Sequence, residues 1–130
     1  AAVDLTDVVS GDITAPSWET NYPAVTSHLG TSLDVEGQLN EAGLYYWVMV
    51  AGGAAAPNKA QVIAGQDSTG AGASDSGTVT VTAAATTASE TVTGLTEQTT
   101  YDFYFLAEDA YANQQTTPVK KSGTTTDETA

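Results

Sequence analysis

Apolar and polar positions alternate with a period of two through most of this chain, the spacing of strands whose side chains point by turns to opposite faces of a sheet. Residues 32–39 set Leu33, Val35 and Leu39 against polar neighbours, and residues 77–83 (GTVTVTA) set Val79 and Val81 against threonines. Residues 101–108 alternate Tyr101, Phe103, Phe105 and Ala107 with Asp102, Tyr104, Leu106 and Glu108. Shorter strands are predicted at 18–22, ending at Pro23, at 89–95 (SETVTGL) and at 118–125. Residues 44–50, LYYWVMV, are apolar on both phases. That run is too short for a typical helix and rich in aromatic and β-branched residues, so strand prevails. Residues 1–14 place Val3, Leu5 and Val8 among Asp4, Thr6 and Asp7, a half-buried strand pattern broken by Gly11 and Asp12.

One stretch breaks the period. Residues 58–64 (NKAQVIA) make two helical turns, stopped by Gly65. Around it lie a Gly/Ala loop at 51–57 and a Gly/Ser/Asp loop at 66–76. Seven or so short strands with a single short helix predict an all-β antiparallel sandwich with one extra N-terminal strand. The expected division is an N-terminal extension at 1–14, a sandwich at 15–126 and a polar tail at 127–130. The extension serves either as an edge strand of its own sandwich or as a strand donated to a neighbour.

Composition narrows the function. The chain has 130 residues, enough for one domain with a real core and too few for two. Sixteen acidic residues against three lysines give a net charge of −13, which argues against a phosphate backbone or anionic lipid as partner. No run of 18 apolar residues is present, so no helical membrane span is predicted. The opening residues, AAVDLTDVV, read as a mature N-terminus left after signal removal, which points to a secreted, cell-surface location. Cysteine is absent, which removes disulfides, zinc–thiolate sites and thiol nucleophiles.

A resemblance sharpens the fold. LTEQTTY places Leu95 six residues before Tyr101 across a polar turn, and an alternating aromatic strand follows, then AEDAYANQQ. This resembles the end of strand E and strand F of fibronectin type III domains. The resemblance assigns Leu95 and Tyr101 to a tyrosine corner, whose hydroxyl bonds back to the upstream backbone, and puts Phe103, Phe105 and Ala107 in the core. DITAPSW with NYP, LNEAGLYYWV, AAAPNKAQVIAG and AEDAYANQQTTPV are similar to the version of this domain in bacterial and archaeal surface proteins. The likeness runs over roughly residues 12–126. It departs on strand B, where such domains carry a core tryptophan and this chain has SLDVEGQL. The place falls to Trp18 or Trp47.

The candidate chemistry is sparse. His28 is the single histidine and sits in a loop; without a cysteine or a second histidine, most triads and metal-hydrolase sites are excluded, and no enzymatic activity is expected. A Lys–Asn crosslink is also not expected, because Lys59 lies on the helix and Lys120–Lys121 form a polar pair. Calcium is the candidate cofactor: Asp12 at the start of the sandwich and Glu108, Asp109 and Asn113 after the aromatic strand supply hard oxygen ligands. In the surface modules that this chain resembles, such ends meet at calcium-rigidified junctions. A second candidate is an outward apolar face of Tyr45, Trp47 and Met49 with Tyr104 and Leu106, suited to stacking on sugars or packing on protein. The alternative is that the short helix or the N-terminal segment covers it. The expected function is a structural or interaction subunit of an extracellular prokaryotic assembly (a filament, pilus-like fibre or surface layer). It would associate with itself or with neighbouring domains through strand edges and the aromatic face. The alternative is a carbohydrate- or receptor-binding adhesion module, or an accessory domain of a larger secreted protein.

Overall fold

A computed structural model of the chain describes residues 13–128. The strand pattern around Val3, Leu5 and Val8, and the ligand candidate Asp12, lie outside the described residues. Seven strands form two antiparallel sheets: β1 (Ala24–Thr26), β2 (Leu33–Gly37), β3 (Gly43–Ala51), β4 (Asp75–Val81), β5 (Ala88–Val92), β6 (Thr100–Asp109) and β7 (Val119–Thr124). One sheet has the order β1-β2-β5 and the other β4-β3-β6-β7. Among the described residues the one helix, α1 (Lys59–Ala64), joins β3 to β4. This is the expected all-β sandwich.

The strand predicted at 18–22 is replaced by an isolated bridge between Trp18 and Leu39, and β1 begins only after Pro23. The cause is local. Asn21 takes a left-handed φ of 74°, and Pro23 has no N–H to give a ladder. The segment still packs closely. The Trp18 indole meets Tyr45 edge-on at 5.6 Å and Phe105 at 6.2 Å, while Trp47 lies 6.1 Å from Phe103. Both tryptophans therefore fill the space between the sheets, together with Leu33, Val35, Leu39, Val79, Val81 and Val92. Gln115 fastens this end. Its side-chain oxygen accepts from the Trp18 indole (3.1 Å) and the Ala107 amide (3.0 Å), and its amide donates to the Pro16 carbonyl (3.0 Å).

The helix is held by its ends and by one face. Asn58 caps it, accepting from the Gln61 amide, while the Gln61 side chain accepts from the Asn58 amide. Gly65 closes it at φ 75°. Six residues are marginal as a free helix, so burial decides. Val62 and Ile63 pack with Val48, Val50, Tyr104 and Leu106 on the outer face of the four-stranded sheet. The central strands β3 and β6 are thus covered on both sides, while the outward residues of β4 (Ser76, Thr78 and Thr80) and of β7 (Lys120 and Ser122) stay exposed.

The strands run between two poles. Ser17 and Trp18 lie beside Leu39 and Asn40 at one pole. At the other, the Thr126 amide donates to Leu29 and the Glu128 amide to the Glu97 carboxylate. His28 adds a tie there: its Nδ1 is 2.9 Å from the Thr124 carbonyl oxygen and its Nε2 is 3.2 Å from that of Val25.

Candidate functional site

The proposed aromatic face does not exist as an outer surface. Tyr45, Trp47 and Met49 point between the sheets, whereas Tyr104 and Leu106 point the other way, beneath α1, and all five are buried. Register sets this division. Tyr45, Trp47 and Met49 stand opposite Ala107, Phe105 and Phe103, while Tyr46 and Val48 stand opposite Leu106 and Tyr104. Both phases of LYYWVMV are apolar because both faces of the strand are covered.

The described members of the calcium set do not converge. Glu108 and Asp109 are consecutive in β6 and so face opposite sides. The Glu108 carboxylate accepts from the Tyr46 hydroxyl (2.9 Å) and the Gln114 side-chain amide (2.9 Å). Burial, then the bond to Glu108 and its charge, push the Tyr46 hydroxyl above its usual pKa. Asp109 is buried and organises the following turn. One carboxylate oxygen accepts from the Tyr111 and Asn113 amides (2.8 and 2.9 Å), the other from the Asn113 side chain (2.9 Å). Asn113 thus donates to Asp109 rather than standing beside it as a ligand. Among the described residues no three His, Cys, Asp or Glu side chains are grouped to hold a metal ion.

At the turn before β6, the Tyr101 hydroxyl accepts from the Thr96 amide at 2.9 Å. The neighbouring Leu95 is buried and its amide donates to Thr31. The pair joins the two sheets at the second pole.

Asp102 is a polar site that the pattern of the sequence did not single out. It is buried on the outer face near the end of β3. Its carboxylate accepts from Ser122 Oγ (2.6 Å) and the Gly53 amide (2.9 Å), with Lys120 Nζ at 3.5 Å. Burial alone would raise its pKa. The two hydrogen bonds and the Lys120 charge outweigh burial and hold it below the ordinary carboxylate value. A depressed native pKa gives stability that is full above the unfolded value of about 3.9 and is lost as pH falls through the native value. Urea midpoints measured across pH should therefore show wild type well above Asp102→Asn at neutral pH. The gap should close as the medium is acidified below about pH 4.

A notch of about 470 Å³ lies between the end of β3 and the loop after α1, floored by Val50, Ala51 and Ala54 and rimmed by Asp67, Thr69 and Ser74. Its Asp67 carboxylate is turned on its own loop, accepting from the Thr69 hydroxyl (2.6 Å) and amide (2.9 Å) and the Ala71 amide (3.2 Å). Those bonds, the hydroxyl first, lower its pKa.

The sheet edges remain, and they differ. β1 is three residues long. β5 carries Glu90, which stands opposite the buried Val35 and so points inward; its carboxylate accepts from the Trp47 indole at 3.0 Å. β7 carries Lys121 opposite the buried Phe103, again on the inner side, with Lys120 turned outward to Asp102. A short strand deters edge pairing, and an inward charge deters it unless the partner strand sets an opposite charge to face it. β4 has an inward charge only at its first residue, Asp75, opposite Met49; then come Gly77, Val79 and Val81 inward and Ser76, Thr78 and Thr80 outward.

No protein-family model and no curated protein matches this chain. Among solved structures the chain is similar to one described as a computer-based redesign of a β-sandwich protein. The TM-score is 0.51 at 21% identity, over 92% of this chain and 96% of the other. At that identity the likeness supports the two-sheet sandwich and nothing about activity.

Proposed function

We propose that this chain is a non-catalytic structural module of an extracellular prokaryotic surface assembly, joined to its neighbours through strand edges. The observation that carries this is the coverage of the four-stranded sheet. One face lies against the second sheet and the apolar centre of the other lies beneath α1, while β4, seven residues long, is paired on one side only. A partner is therefore best received at an edge, where backbone groups supply the contact. The finer fold assignment is fibronectin type III-like. Its support is the Tyr101 bond to the Thr96 amide and the pairing of β4 with β3, where a constant-type immunoglobulin domain adds its fourth strand to the opposite sheet. The acidic, cysteine-free composition suits a surface location.

Sedimentation velocity and negative-stain imaging of the full chain, over a concentration series at physiological ionic strength, test the role. Assemblies larger than a dimer that grow with concentration are expected. A monomer at every concentration, with a melting midpoint raised by added glycans, would instead assign the chain to carbohydrate binding.

A further inference from the structure

The pairing registers place residues of the four-stranded sheet in rows that run across all four strands. Asp75 stands opposite Met49, Met49 opposite Phe103, and Phe103 opposite Lys121. Asp75 and Lys121 therefore occupy the two ends of one row, on the same inner face, and carry opposite charges. The adjacent rows end in Ser76 and Lys120, and in Gly77 and Val119.

Strand direction adds a second constraint. Each neighbour in β4-β3-β6-β7 is antiparallel to the next, so β4 and β7 run in opposite senses. A second copy set beside the first in the same orientation brings its β4 against β7 with the antiparallel alternation unbroken. In the smaller sheet β1 and β5 are both antiparallel to β2, so the same operation there would juxtapose parallel strands.

We propose that the outer edge of β7 in one copy pairs with the outer edge of β4 in the next, in the register that sets Lys121 opposite Asp75, whose carboxylate accepts from the Ser76 amide (2.8 Å) in the single chain. The partner is thus a second copy of this chain. Two of the three lysines of the chain lie on β7, and Glu90 on β5 adds to the negative charge beside β4. Only the unlike edges bring a lysine to an aspartate: β4 against β4 over its length would set Asp75 opposite Val81, and β7 against β7 would set Lys121 opposite Ser122, which favours the unlike edges. The contact is heterologous and does not close on itself. Strand twist of about 20–25° per step turns the row of copies into a helical filament. The joint spans the three rows that both strands occupy, so each contact is weak and the assembly grows step by step.

The inference rests on the assembly role proposed above, and two experiments separate their fates. The chain has no cysteine, so Asp75→Cys/Lys121→Cys places its only thiols at the joint. Directly opposite residues have Cα atoms about 4.5–5.5 Å apart, within disulfide range. Mild oxidation should give a ladder of covalent oligomers on a non-reducing gel. Each single variant should stop at a dimer, and the shifted pair Thr80→Cys/Lys121→Cys should give little product. In sedimentation of the cysteine-free full chain, Lys121→Glu should weaken association about tenfold or more, and adding Asp75→Lys should restore it. A ladder equally strong in the shifted pair would overturn the proposal, as would association indifferent to Lys121→Glu. Assembly abolished by removing residues 1–12 yet indifferent to Lys121→Glu would assign an edge to that segment instead. In these cases wild-type assembly would leave the structural role standing; a wild type that stays monomeric would remove both.

Discussion

Trp47→Ala is expected to lower the free energy of unfolding by about 3–5 kcal/mol, a large share of the 5–15 kcal/mol typical of a domain. The side chain is among the largest that are fully enclosed, and it lies against Phe103 with ring centres 6.1 Å apart. It also crosses the sandwich: its indole N–H reaches Glu90 on the edge strand of the other sheet at 3.0 Å. A methyl group in its place leaves a cavity between β3 and β5 and removes that tie. Surrounding residues cannot readily collapse into the space, because β3 is the central partner of both β4 and β6. Urea unfolding followed by Trp18 fluorescence reads the effect. Trp47→Phe separates the two contributions in large part: most of the packing stays, while the hydrogen bond and the smaller part of the ring go. Since Glu90 is exposed and regains water, that variant should lose about 1–2 kcal/mol. A loss in Trp47→Phe equal to that in Trp47→Ala would show that the indole N–H, not the ring volume, holds the sheets.

The same residue shows what was legible in the sequence. The alternation in 77–83 and 101–108 located β4 and β6 and their inward residues, because each strand has faces of unlike polarity or size. Residues 44–50 gave no such contrast. A strand buried on both sides has no polar phase, so its periodicity cannot tell which set faces the other sheet. The deciding clue was the helix, already the alternative to an exposed face. NKAQVIA carries a capping box and two adjacent apolar residues, Val62 and Ile63, and a helix that short forms only where it can cover something. The helix lies as a lid on Val48, Val50, Tyr104 and Leu106, the alternative that the sequence left open.

The acidic residues failed for a different reason. Composition places carboxylates at turns, but it does not say where each one's lone pairs are directed. Asp109 is occupied by the backbone of the turn that follows it, and Glu108 by a tyrosine on the neighbouring strand. Glu90, Asp75 and Lys121 were legible by period alone. Each lies two residues from an inward-facing position, Val92, Gly77 or Gly123, and so shares its face. A charge on the inner phase of a strand marks the edge of the sheet, where a side chain can reach water from between the layers.

Gly37→Ala should destabilise the chain by about 1–3 kcal/mol, against the gain of a few tenths to about 1 kcal/mol that replacing glycine gives where space is free. The sign is set by what a Cβ would meet. It would stand 2.6 Å from Tyr45 Cε2 and 2.9 Å from Trp18 Cζ3, both closer than van der Waals contact. The tyrosine ring has little freedom to withdraw. Its hydroxyl donates to the Ala88 carbonyl at 2.7 Å, and Trp18 and Phe105 flank it at 5.6 and 5.9 Å. Ala88 is itself the strand partner of Gly37, so the glycine, the ring and the carbonyl form one closed contact between the sheets. Burial, and then the charges of Glu90 and Glu36, also push the Tyr45 hydroxyl up in pKa, so it stays a donor throughout the accessible pH range. Removing the tether should free the ring to tilt. In a Tyr45→Phe background, itself about 1–2 kcal/mol less stable, the added loss from Gly37→Ala should shrink by about 0.5 kcal/mol or more, the coupling expected of residues in contact. Strictly additive losses in this double-mutant cycle would mean that the Ala88 tether does not hold the ring, and that the strain at position 37 falls on Trp18 instead.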